Sequence, residues 1–134
     1  MSDAEANKTN SEKLAALRVL LVDDEHAMLR VVSRTLRAFD VTCVDRVAAA
    51  EALLTTEHFD VVISDNSMPG KTGVELLRFV AEHKPAVRRV MHSGASPETL
   101  DELERDGVLE LFVAKPGYGA LAEFCERVVA GDDS

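Results

Sequence analysis

The sequence predicts an α/β fold, a doubly wound parallel sheet with helices on both faces, and three observations carry that expectation. Short runs rich in Val, Leu and Ile alternate five times with stretches at helical spacing. The 134 residues leave room for one hydrophobic core, at about 150 residues per domain. Strands that alternate with helices are joined by right-handed crossovers, which makes them parallel.

Arg18, Val19, Leu20, Leu21 and Val22 form the first run, and Met28, Val31, Val32, Thr35, Leu36 and Phe39 follow it at helical spacing. Residues 41–44 are a short second strand, and residues 48–56 have helix-forming composition. Residues 59–64 read as a third strand, its continuous Val61, Val62 and Ile63 buried on both faces. After a Pro and Gly turn, Val74, Leu76, Leu77 and Val80 give the third helix and Arg89, Val90 and Met91 the fourth strand. Leu100 and Leu103, behind Ser96 and Pro97, give the fourth helix. Leu111, Phe112 and Val113 are the last strand, and Leu121, Phe124, Cys125, Val128 and Val129 the last helix. Residues 1–15 and 131–134 are polar and without period, so loose tails are expected around one domain at 16–130.

With 24 acidic against 15 basic residues the chain carries a formal charge of -9, which argues against binding a phosphate backbone. No apolar stretch approaches the ~18 residues of a membrane span, and the first residues lack the basic-then-apolar order of a secretion signal. A cytoplasmic location is expected. Cys43 and Cys125 are too few for a disulfide framework and read as small buried hydrophobes. His26, His58, His83 and His92 have no ligand spacing and polar neighbours, which favours solvated or capping roles.

In doubly wound sheets ligands bind beyond the carboxyl ends of the strands, and here those ends are unusually polar. Strand one runs into Asp23, Asp24 and Glu25; strand three into Asp65, Asn66, Ser67, Met68, Pro69 and Gly70; strand four into Ser93 and Gly94; strand five into Lys115 and Pro116. Aspartates gathered at one edge repel one another unless a cation compensates. Magnesium takes oxygen ligands, often one or two carboxylates with a substrate phosphate, which suits Asp24, Asp65 and a phosphoryl group. Each residue also has a plainer reading. Asp23 and Asp24 could serve a helix N-terminus, Asp65 a turn, Ser93 a loop cap and Lys115 the solvated surface. The four strand ends taken together favour a site, whereas Phe112 also has a core reading, because apolar residues on a covered sheet usually pack.

The fragments VDDE, DNSMPGKTG, SG and KP, in this order and over roughly residues 17–130, resemble a response-regulator receiver domain of two-component signalling. The resemblance implies the flavodoxin-like strand order 2-1-3-4-5, for which a receiver protein is a standard example. It implies Asp65 as phosphoacceptor, with Asp23, Asp24, Asp65 and the Ser67 carbonyl holding Mg2+ or Mn2+. Ser93 and Lys115 would contact the phosphoryl oxygens, with Ser93 and Phe112 as the switch pair. The Lys115–Pro116 bond would be cis.

The implied function is phosphorelay signalling, not classical enzymology. A histidine kinase or histidine phosphotransfer protein would supply the phosphoryl group. Asp65 would take it by self-catalysed transfer and lose it by autodephosphorylation. An output protein would read the face made by the fourth helix, fifth strand and last helix. Neither nucleic acid nor membrane is an expected direct partner, and no output domain is read in this chain. A degenerate receiver acting only as a binding module is disfavoured by the complete Asp, Asp, Ser, Lys set. A small magnesium-dependent phosphatase usually needs an Asp-x-Asp nucleophile after its first strand, and a nucleotide binder needs a glycine-rich loop there.

Overall fold

The apolar runs become the strands of a single sheet in the computed structural model, which describes residues 7–131. The strands are β1 (Arg18–Val22), β2 (Asp40–Val44), β3 (Val61–Ser64), β4 (Arg88–Ser93) and β5 (Leu111–Ala114). Their order is β2-β1-β3-β4-β5, with every neighbouring pair parallel. The described helices are α1 (Asn10–Ala15), α2 (His26–Thr35), α3 (Val47–Thr56), α4 (Gly73–His83), α5 (Leu100–Arg105) and α6 (Tyr118–Ala130). The expected fold and strand order are therefore what is found.

Alternation along the strands divides the core into two layers. Leu20, Val22, Val62 and Met91 face Leu54 of α3, Leu76, Leu77 and Val80 of α4 and Leu103 of α5. Val19, Leu21, Val61, Ile63, Val90 and Val113 face Val32 and Leu36 of α2 and Leu121, Phe124 and Cys125 of α6. All four residues of β3 are buried, because helices cover both of its faces. Burying each such Val or Leu contributes about 1.5–3 kcal/mol relative to exposure, which holds the purely apolar segments at the centre of the sheet. The edge strand β2 is only partly covered.

Three expectations need correction. Residues 10–15, placed in the tail, form α1, with the Thr9 hydroxyl accepting from the Glu12 N–H at 3.2 Å. The sequence signal was that short cap alone, and the helix docks through Leu14 on the α2–α6 layer. Cys43 is exposed because it lies on the edge strand, whereas Cys125 is buried, which pushes its thiol up to about 12. His92 is neither solvated nor a cap: it is buried in β4. Of the expected tails, residues 1–6 and 132–134 lie outside the described residues. No described helix is long and apolar enough to cross a membrane.

Candidate functional site

The parallel ladder carries three chemistry-bearing residues one step beyond their strands. Asp23 N–H donates to the Val44 carbonyl at 3.2 Å, Asp65 N–H to that of Val22 at 2.9 Å and Lys115 N–H to that of Ser93 at 2.9 Å. Sheet hydrogen bonding thus fixes the main chain at each residue, and the carboxyl ends of β1, β3 and β5 deliver their side chains to one edge.

Asp23, Asp24 and Asp65 each offer a carboxylate oxygen, all within 4.8 Å of one another. Asp23 and Asp65 are buried, and Asp24 is more accessible. The Lys115 ammonium reaches across from β5, 3.0 Å from Asp23 Oδ2, 3.5 Å from Asp65 Oδ2 and 3.4 Å from Glu25 Oε1. Two main-chain donors complete the arrangement: Glu25 N–H donates to Asp23 Oδ1 at 2.9 Å, and Asn66 N–H to Asp65 Oδ1 at 2.8 Å.

Burial pushes the Asp23 carboxyl above its ordinary value, aided by the charge of Asp65, although the Glu25 N–H and Lys115 pull the other way. Burial also opposes the charge on Lys115, but Asp23, Asp65 and Glu25 outweigh it and hold the ammonium above its ordinary value. One shared cation therefore leaves Asp23 undercompensated. An all-oxygen donor set of this kind fits a hard divalent cation, and it fits poorly with a softer ion that prefers nitrogen or sulfur.

The loop after β3 is folded tightly onto the site. A Cβ at Gly73 would lie 2.1 Å from the Asp65 carbonyl oxygen, so only glycine lets α4 begin there. Gly73 N–H donates to the Asn66 carbonyl, Val74 N–H to Asn66 Oδ1, and the Ser64 hydroxyl to the Asp65 carbonyl at 2.7 Å. A capping box between Thr72 and Glu75 sets the direction of α4.

Ser93 ends β4, buried and in register with Ala114. Phe112 is half-buried, paired with Met91, and packs on the layer that includes Met91 and Leu103. By strand alternation Ser93 and Phe112 project from the same face of the sheet. Ser67 is exposed in the loop beyond Asp65, and the Lys115–Pro116 bond is cis, as the resemblance implies.

Sequence reasoning gave no role of their own to three contributors. Glu25 stood directly after the acidic pair, and Gly73 closed the motif after β3, where its spacing supported the reading of Asp65 but did not show the steric need for glycine. The burial of His92 had no local signal, because Ser93 and Gly94 lead out of the strand.

The response regulator receiver domain family matches residues 19–127. The hydrogenase transcriptional regulatory protein HoxA of Cupriavidus necator is 36% identical over 101 residues, covering 73% of this chain and 21% of that protein. The chemotaxis protein CheY of Pseudomonas aeruginosa is 33% identical over 97 residues, covering 70% of this chain and 74% of that protein. Among solved structures, response regulator protein TrrA of Thermotoga maritima, in complex with Mg2+–BeF, superposes with a TM-score of 0.76 at 21% identity. That superposition covers 84% of this chain and 99% of TrrA. The chain spans about a fifth of the length of the HoxA regulators it matches.

Proposed function

The chain belongs to the response regulator receiver domain family, and from that premise we propose that residues 16–130 accept a phosphoryl group on Asp65 and report it to a partner protein. The observation that supports this most is the Lys115 ammonium lying between Asp23 and Asp65, beside three carboxylate oxygens gathered within 4.8 Å.

The donor is the phosphohistidine of a kinase or phosphotransfer protein. A carboxylate oxygen of Asp65 attacks phosphorus; the new P–O bond forms as the P–N bond to imidazole breaks, leaving an aspartyl phosphate. Lys115, fixed by the β5 ladder, neutralises charge on the transferring oxygens, and the Ser93 hydroxyl donates to one of them. Asp23, Asp24, Asp65 and the Ser67 carbonyl would hold Mg2+ or Mn2+, which when bound supplies further neutralisation of the phosphoryl oxygens. Water later hydrolyses the acyl phosphate and resets the domain. The TrrA structure in complex with Mg2+–BeF supports this use of the fold.

Incubation with acetyl phosphate and Mg2+ followed by intact mass measurement tests the reading. One phosphoryl adduct is expected in the wild type and none in Asp65→Asn; labelling that survives the substitution would move the acceptor elsewhere.

The phosphorylated state is transmitted from Ser93 to Phe112. New anionic oxygens beside the β4 end draw the Ser93 hydroxyl inward, and Phe112, on the same face, rotates into the space released. This reshapes the surface of α5, β5 and α6. Phosphorylation shifts the population only by its difference in affinity for the two arrangements. Ser93→Ala should still be phosphorylated while chemical shifts around Phe112 respond less; an undiminished response would remove Ser93 from the pathway.

A further inference from the structure

His92 is a buried titratable group that the transfer chemistry leaves without a task. Its Nε2 lies 2.6 Å from the Pro116 carbonyl oxygen. A carbonyl only accepts, so Nε2 carries the proton and donates it. Pro116 has no N–H to offer, and its carbonyl is the group through which this corner can be tied back to the sheet. The residue before it, Lys115, donates its own N–H to the Ser93 carbonyl at 2.9 Å. Consecutive residues of β4, His92 and Ser93, therefore hold consecutive residues of the β5 exit, Pro116 and Lys115.

The corner is closed from its other sides as well. The Tyr118 ring stands edge-on to the imidazole, with centroids 6.1 Å apart, and its hydroxyl approaches Met28 Sδ of α2 at 3.8 Å. Gly117 takes a left-handed φ of 45°, and a Cβ there would lie 2.4 Å from Val113 Cγ1 and 2.6 Å from the Ala114 carbonyl oxygen. The turn is thus pressed directly onto β5. In a turn this close-packed, the bond from His92 is the side-chain tie that adds to the Lys115 ladder bond where the chain leaves β5.

We propose that His92 is a positioning residue for phosphoryl transfer, its ring N–H holding the Pro116 corner so that the Lys115 ammonium stands over Asp23 and Asp65. The assignment rests on Asp65 being the phosphoacceptor. Burial that keeps the imidazole below its ordinary pKa favours the neutral ring, which still donates through Nε2. His92 touches no reacting atom and acts only through Lys115.

The test follows phosphoryl uptake from acetyl phosphate in Mg2+ for wild type, His92→Met, His92→Gln, Lys115→Ala and the double variant His92→Met/Lys115→Ala. Methionine fills the space without a donor, whereas glutamine keeps one. His92→Met should slow uptake about tenfold, equivalent to ~1.4 kcal/mol of barrier, and His92→Gln should recover most of the rate. In the Lys115→Ala background, His92→Met should change the rate less than twofold. An undiminished rate in His92→Met, or an equal tenfold loss in both backgrounds, overturns the proposal. Imidazole 15N shifts of the wild type give a check independent of any variant's folding. The Nε2–H tautomer is expected, and the Nδ1–H tautomer would leave no proton for Pro116. Wild-type protein that takes up no phosphoryl group would refute the phosphoacceptor reading itself, whereas uptake by wild type with an indifferent His92 refutes only this inference.

Discussion

The two ends of the sheet handle charge in opposite ways. At the amino ends of the strands, Arg18 meets Glu57 at 3.0 Å and Asp40 at 3.4 Å and donates to the His58 carbonyl at 2.8 Å. Arg88 grips Glu110 through two guanidinium nitrogens. The half-buried Arg89 gives its N–H groups to the carbonyls of Pro85, Val87, Gly107 and Val108 at 2.8–3.1 Å. Each cation there finds anions or main-chain carbonyls in number. At the carboxyl ends, Asp23, Glu25 and Asp65 share the Lys115 ammonium while Asp24 stands beside them. Compensated charge ties loops to the sheet; undercompensated, half-desolvated charge is what the cation and phosphoryl group of the proposed function would complete.

The sharpest way to break this contrast is to remove one cation from each end. Lys115→Ala should lower the phosphoryl-uptake rate about 100- to 1,000-fold, the usual cost of deleting one preorganised group that stabilises transition-state charge. Single-turnover mass measurements would read it, and a rate close to wild type would deny Lys115 its role. Arg89→Ala should leave that rate within about twofold and instead lower stability by about 1–2 kcal/mol, since hydrogen bonds from a charged donor to two part-buried and two exposed carbonyls are lost together. Urea denaturation measures the loss; a slowed rate in folded Arg89→Ala would show that the two ends are coupled.

The cation itself should act on one end only. Mg2+ at ten times its dissociation constant should stabilise the protein by about 1.4 kcal/mol, from RT ln 11, and Asp24→Ala should abolish most of that gain. The pH dependence of the metal-free protein sharpens the point. Because folding raises the pKa of Asp23 above its ordinary value, the folded state binds the extra proton more tightly. The contribution of Asp23 to stability therefore falls as pH rises from the ordinary carboxylate value through the raised one. Asp23→Asn should flatten this slope in metal-free melting curves, and an unchanged slope would place the strain on another group.

Much of this site was legible because it is local. VDDE, DNSMPG, SG and KP each follow an apolar run, and a run buried on both faces ends where the chain turns polar. The bounds of β1 follow from Arg18 to Val22 alone, and the run Val61–Ile63 announces a central strand. Less local features escaped. Helix α1 is six residues long and is held partly by docking Leu14 on a distant layer, so its own sequence barely announces it. Cys43 and Cys125 look alike along the chain, yet one sits on an edge strand and the other between α6 and the sheet.

Composition and periodicity settle which segments are strands and which residues stand at their ends, because those depend on neighbours within a few positions. They do not order the strands; only the resemblance anticipated the arrangement that brings Lys115 to Asp23. That contact joins residues 92 positions apart, and the bond from His92 to Pro116 spans 24. Both depend on register and crossover direction, and the turn after Pro116 on the close approach allowed by Gly117. Tertiary packing decides them, because a side chain's partner across a parallel sheet is set by how the layers close, which no short stretch of sequence encodes.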